Sequence, residues 1–252
     1  MNAFFKPLTL GEIFETTYSL IKNNYRTIFT ISGIALLPFY FLFFLLFVWL
    51  GPQMAADPYW FVAIPAWLPF FGLVMATFFF MAIYVSGAAL IRAAGVLSLN
   101  EKPDLQKSYL PVFAKFWPFL WTVSLAGGLI FLGMLLLVVP GVLLHLAFFV
   151  VVPVVLFESL SGVEALKRSN DLMRGQKLKA FLFFFILCVL SAVIDRTLGL
   201  IPIPFISGFF KSLFQFAFLT FANVGIAVFY FQIKASKEGF NAEGLAKLMG
   251  GI

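Results

Sequence analysis

The chain is poor in the residue types that usually carry chemistry. It holds one cysteine and one histidine in 252 residues, and charged side chains make up only 11% of it. A lone cysteine, Cys188, excludes an internal disulfide framework and a cysteine-based metal site. The lone histidine, His145, has no second nitrogen ligand to share a metal with, so no metal site is expected. No phosphate-cradling glycine loop, zinc-protease helix motif, nucleophile elbow or dinucleotide Gly-x-Gly pattern occurs. The sequence therefore nominates no catalytic residue and no cofactor.

What is present in excess is apolar surface. Hydrophobic residues account for 62% of the chain, with 36 phenylalanines and a mean hydropathy of +1.03. Six long apolar runs fall at residues 27–50, 70–91, 119–139, 142–157, 181–203 and 213–231. A run of about 20 apolar residues crosses the hydrocarbon layer as a helix, about 30 Å. Barrel strands are about 10 residues long with alternating polarity, which excludes a β-barrel. The expected fold is an all-α polytopic membrane bundle of six spans in a single domain over residues 1–252. The first apolar stretch is brief and is followed by Glu12, Glu15, Lys22 and Arg26, so no cleavable signal peptide is expected.

The positive charge is one-sided. Of 17 Lys and Arg, 15 lie before the first run or after the second, fourth or sixth, and only Arg196 and Lys211 lie elsewhere. Lys and Arg resist translocation, which places that side and both termini in the cytoplasm. A net charge of +6 raises the question of nucleic acid, but the basic residues are scattered beside membrane ends. They read as topology determinants and contacts for anionic phospholipid headgroups, with no nucleic-acid partner.

Three polar segments on that side, residues 9–23, 104–116 and 161–175, are expected to lie flat at the interface as amphipathic helices. In the first, Thr9 and Glu12 form a capping box and Leu8 staples to Ile13; Ile13, Phe14, Tyr18, Ile21 and Tyr25 recur at helical spacing. The second carries Tyr109, Val112, Phe113 and Phe116, with Pro111 as an interruption. The third opens on a Ser161–Glu164 box, has an apolar stripe of Val163, Leu166, Leu172 and Met173, pairs Glu164 with Arg168, and stops at Gly175. Each segment feeds a pair of spans, a pattern that reads as a threefold helix–hairpin repeat.

The opposite face is meagre. Trp60 and Trp67 are expected interfacial anchors, with Pro65 and Pro69 keeping residues 60–68 out of the second span. Pro140-Gly141 is the expected tight turn between spans three and four. Asp195, Arg196, Pro202 and Pro204 mark the last turn.

Pro140-Gly141, Pro153, Glu158, the run Glu164-Ala-Leu-Lys-Arg-Ser169, Leu172 and Gly175 resemble the signature of the glycerophosphoryl diester phosphodiesterase membrane domain. The opening from Pro7 to Glu15 and the Asn23-Asn-Tyr-Arg26 lead-in are similar too. Coverage is essentially the whole chain and strongest over about 35 residues. The resemblance implies a multi-spanning bacterial inner-membrane bundle. It does not carry the phosphodiesterase activity, whose attached domain and paired histidines are absent from this sequence.

Candidate sites each have two readings. Glu158, near the inner end of span four, is a proton or cation site, or a salt bridge to Arg168 or Arg174. His145 is expected to hydrogen-bond to a neighbouring span. Asp195 and Arg196 form an outer gate, or cap span five and pair at the interface; Lys211 is expected to snorkel outward. Gly127-Gly128, Gly133, the run from Ser86 to Ala89 and Ala93-Ala-Gly95 favour close helix approach. Arg92, Lys167, Arg168, Arg174, Lys177 and Lys179 form a basic set that serves lipid phosphate or topology alone. The expected function is a non-catalytic inner-membrane protein that organises phospholipids or a cytoplasmic or membrane protein partner. The alternative is a transporter or flippase-like component for a lipid or small amphiphile.

Overall fold

The computed structural model describes residues 7–56, 67–99 and 101–250. Among these the chain is helical, with α1 Leu10–Asn23, α2 Tyr25–Ala56, α3 Trp67–Ser98, α4 Leu105–Ala114, α5 Phe116–Leu136 and α6 Val138–Ala147. It continues with α7 Val151–Glu158, α8 Gly162–Met173, α9 Lys177–Gly199, α10 Pro204–Glu238 and α11 Ala242–Gly250. Six segments are long and apolar enough to cross a membrane, namely α2, α3, α5, the α6–α7 pair, α9 and α10. This is a multi-pass membrane protein. Trp60 and Pro65 lie outside the described residues.

The spans differ from the sequence expectation chiefly at their prolines. Pro69 sits in the first turn of α3 rather than ahead of it, and Pro204 is the first residue of α10. A missing N–H costs nothing in a first turn, where that donor has no helical partner. The same logic moves the turn between spans three and four. Leu137 alone leaves the helical region, at φ −162° and ψ 145°, and Pro140-Gly141 lies inside α6. A Cβ on Gly133 would come within 3.0 Å of the Gly141 Cα, so these two glycines let α5 and α6 pack backbone to backbone. Gly127 and Gly128, by contrast, have no neighbour within 4 Å of an added Cβ.

Span four is broken. Residues 148–150 form a turn between α6 and α7, and Pro153 falls in the first turn of α7, where its lack of an N–H is harmless. Ser169 Oγ of α8 donates to the Ala147 carbonyl at 2.9 Å, satisfying one of the acceptors that the break exposes. Pro111 does not interrupt α4. It removes the donor for the Lys107 carbonyl, and Arg92 Nε of α3 takes that place at 3.0 Å.

The core surrounds α10, where Val224 and Ala227 through Phe231 are buried all round the helix, against Ala88 to Leu90 of α3 and Val150, Val151 and Val154 to Phe157 around α7. Small side chains set the α3–α10 distance. A Cβ on Gly87 would meet Asn223 Oδ1 of α10 at 2.5 Å; on the α9 side of α10, one on Gly225 would meet the Phe183 ring at 2.5 Å. Several polar atoms inside the bundle pair with one another, which membrane depth favours. Ser32 and Thr220 share a hydrogen bond of 2.9 Å, and the Tyr109 hydroxyl donates to the Ile31 carbonyl.

The short helices bury narrower stripes than their patterns announce. The Thr9–Glu12 capping box forms, and Leu8 and Ile13 are both buried in the core, but Tyr18 and Tyr25 are exposed. Phe113 of α4 and Val163 of α8 are exposed as well. In α8 the buried stripe is Gly162, Ala165, Leu166, Ser169, Leu172 and Met173. Ser161 makes no side-chain cap; the Gly162 N–H donates instead to Thr122 Oγ1 of α5 at 2.7 Å. Gly162 adopts φ +56° with the Trp121 indole 3.3 Å from any added Cβ, so glycine is favoured there. Gly175, at φ +78°, follows the end of α8 as expected. The helix α11, which hydropathy did not announce, opens on an Asn241 side chain accepting from the Gly244 N–H at 2.9 Å and buries Leu245.

Candidate functional site

The polar side chains collect at the end of the bundle that carries α1, α4, α8 and α11. At its centre Glu158 ends α7, followed by Ser159 in the left-handed region at φ 55°. Arg168 Nε donates to Glu158 Oε2 at 2.6 Å and a terminal guanidinium nitrogen to Oε1 at 3.3 Å. Lys234 Nζ and the Tyr230 hydroxyl, both on α10, donate to the same Oε1 at 2.9 Å. Arg168 also pairs with Glu238, and Lys234 lies 4.9 Å from the Phe240 ring centroid. Two carboxylates and two cations thus form a neutral knot joining α7, α8 and α10. The Glu158 and Lys234 side chains are only 12% and 9% exposed, so the charges are tolerable because each is matched. The hydrogen bonds to Glu158 and Glu238 hold the Arg168 guanidinium further above its already high pKa.

Of the two partners expected for Glu158, Arg168 binds it; Arg174 pairs instead with Asp171, at 3.3 Å on the exposed face of α8. Arg168 turns away from Glu164 because the buried carboxylate is the stronger acceptor. Tyr230, Lys234 and Glu238 escaped the sequence reading. Their four-residue spacing along α10, which puts three polar groups on one stripe of a helix, was the available signal.

Other basic side chains close helix ends. Lys115 Nζ donates to the Leu156 carbonyl at 3.2 Å and Ser159 Oγ at 2.9 Å, at the C-terminus of α7. Lys237 Nζ does the same for α8, on the Asp171 and Arg174 carbonyls at 2.9 and 2.8 Å. Lys179 Nζ reaches the Leu8 carbonyl at 2.9 Å, an acceptor that lies ahead of α1 and not at a helix C-terminus. A cation on terminal carbonyls opposes the helix dipole and supplies missing donors. Burial, with Arg92 nearby, pushes the Lys115 pKa down. Burial pushes the Tyr109 hydroxyl up to about 12, against a smaller opposing hydrogen bond with Ser86.

The expected basic set is therefore divided. Arg92, Arg168 and Lys179 are occupied by the fold's own oxygens, while Lys167 and Arg174 are exposed and Lys177 is half-buried. Lys22, Arg26, Lys102 and Lys107 are exposed as well.

Farther from this end, a chamber of about 270 Å³ lies between α3, α5, the α6–α7 break, α9 and α10. Its lining is apolar apart from Tyr84, His145 and Asn223, and Gly87, Gly127 and Phe148 help to form its walls. His145 packs on the Phe184 ring at 4.9 Å, and its buried Nε2 has no hydrogen-bond partner among the described residues. The expected bond to a neighbouring span is not made there. Asn223 Nδ2 donates to the Leu219 carbonyl at 2.8 Å. Asp195 lies in α9 and pairs with Lys211 of α10 at 3.1 Å, tying that hairpin, so Lys211 does not simply snorkel outward. Arg196 is exposed beside it in the last turn of α9.

No protein-family model, curated protein or solved structure matches the chain.

Proposed function

We propose that this chain is a non-catalytic protein of a bacterial inner membrane, both termini cytoplasmic, which holds anionic phospholipids at its basic end. That end also offers a charged face to a cytoplasmic or membrane protein. The supporting observation is the division of the cations. Six of them, Arg92, Lys115, Arg168, Lys179, Lys234 and Lys237, are consumed by carbonyls and carboxylates of the fold. Lys167 and Arg174 are exposed with Lys22, Arg26, Lys102 and Lys107, and Lys177 is half-buried beside them. Each such cation near an anionic leaflet contributes about 1 kcal/mol. Arg174 keeps most of that value, because its partner Asp171 forms an exposed pair of little strength.

In this reading α1, α4 and α8 are the interfacial helices, each preceding two spans as one unit of a threefold repeat. The likeness to the glycerophosphoryl diester phosphodiesterase membrane domain agrees with it, since that module is a bundle without the catalytic domain. Native mass spectrometry of the detergent-purified protein with phosphatidylglycerol tests the idea. Changing Lys167, Arg174 and Lys177 together to Gln is expected to strip most of the retained lipid; unchanged retention defeats the proposal.

The broken fourth span and its chamber favour a second reading, a carrier component for a small amphiphile. Broken helices beside a midplane cavity are how many carriers hold substrate. A volume of about 270 Å³ is below the usual range for even drug-sized ligands, which argues against a whole phospholipid. Uptake of a fluorescent short-chain amphiphile into proteoliposomes, blocked by Gly127→Phe, would support it. Equal uptake into protein-free vesicles would end it.

A further inference from the structure

One of the exposed cations stands at the head of an apolar furrow. Arg26 lies in the first turn of α2, its Nε donating to the Tyr25 hydroxyl at 3.0 Å and its guanidinium 5.7 Å from the Tyr25 ring centroid. No carboxylate among the described residues pairs with it. From Arg26 an open furrow follows α2 and α10 over Gly33, Leu37 and Phe41, with the buried Phe216 as its floor. It continues through Leu37, Phe41 and Phe216 into a pocket of about 470 Å³ that ends at Phe44 and Phe209.

Length and charge identify the occupant. Arg26 and Phe41 are 15 residues apart, which is about 22 Å along a helix rising 1.5 Å per residue. One leaflet with its headgroups is about 20–22 Å thick, half of the 40–45 Å bilayer. The furrow thus matches a single lipid from headgroup to chain end, with a guanidinium where the phosphate falls. Arginine suits that position because its planar fork binds phosphate oxygens in pairs. The floor is kept open by Gly33, where a Cβ would already approach Leu37 Cδ1 to 3.0 Å and the Phe216 ring to 3.8 Å.

The geometry points to a defined seat for one anionic phospholipid of the basic-side leaflet, its phosphate on Arg26 and one acyl chain lying between α2 and α10. The seat rests on the lipid-holding function proposed above and gives it a specific position on the α2–α10 face, apart from Lys167, Arg174 and Lys177.

The test uses the full chain reconstituted with phosphatidylglycerol bearing a photoactivatable group at the tail end. Adducts are expected on α2 and α10 around Leu37, Phe41 and Phe216, and Gly33→Leu should suppress them. Adducts spread evenly over the exposed faces of α5 and α9 would overturn the seat. In native mass spectrometry, Arg26→Gln is expected to weaken the affinity for one of the bound phosphatidylglycerols about fivefold, the worth of one cation at such a surface. Loss in the Lys167/Arg174/Lys177 variant with none in Arg26→Gln would overturn the seat and leave the broader function standing. Loss in Arg26→Gln alone would support the seat and overturn the assignment of lipid holding to Lys167, Arg174 and Lys177; loss in neither would overturn both.

Discussion

Arg168 grips Glu158 through both carboxylate oxygens, at 2.6 and 3.3 Å, and so fastens the surface helix α8 to the end of a broken span. Removing one member of a buried, matched set leaves an uncompensated charge. Glu158→Ala is therefore expected to cost about 3–5 kcal/mol, read as a lowered thermal midpoint by circular dichroism in detergent. Arg168→Lys keeps the charge but not the two-point contact and should cost less. No loss in Arg168→Lys would show that the second hydrogen bond is idle.

Arg92 and Pro111 form a pair of a different kind, one side chain replacing a donor that another cannot supply. Arg92→Met should leave the Lys107 carbonyl bare and cost about 1–3 kcal/mol. In a Pro111→Ala background the helix recovers its own N–H, and the same change should cost about 1 kcal/mol less. A double-mutant cycle on thermal midpoints measures the coupling, and strict additivity would contradict it.

Gly162 starts α8 in a conformation that strains other residues, at φ +56° under the Trp121 indole. Gly162→Ala is expected to lose about 1–3 kcal/mol. Limited proteolysis should then cut first between α7 and α8, whereas wild-type resistance at that position would refute the assignment.

Tyr109 gives a pH signature. Its hydroxyl has a pKa pushed up to about 12 in the folded protein, against an ordinary 10.0. Below pH 10 both folded and unfolded forms hold the proton, and the stabilisation is fully present. Between about 10 and 12 only the folded form holds it, so this contribution falls as pH rises through that window. Tyr109→Phe should remove this part of the alkaline slope while lowering stability near neutrality; an unchanged slope would place the titration elsewhere.

The six apolar helices could be read from the residues, because run length acts over whole helices. The capping box at Thr9 and the stop at Gly175 are local patterns, and both form, as does the Glu158–Arg168 pair between α7 and α8; the expected Ser161 cap does not. What misled was proline. Pro69, Pro140 and Pro111 read as boundaries, yet the first two fall in first turns and the third has its carbonyl rescued from another helix. Such rescue is tertiary and leaves no trace in local sequence. Neither does the break at residues 148–150, which hydropathy averages over. The division of the basic set was hidden for the same reason, since which lysine meets a carbonyl depends on how helix ends assemble.

The central claim is that the exposed cations share one side of the membrane, facing the anionic leaflet. Impermeant maleimide labelling of intact cells tests it, using single cysteines in a Cys188→Ser background. Leu137→Cys and Leu200→Cys, at exposed turns of the opposite end, should react in intact cells; Lys102→Cys and Lys177→Cys should react only after lysis. Labelling at Lys102→Cys or Lys177→Cys in intact cells would contradict the account.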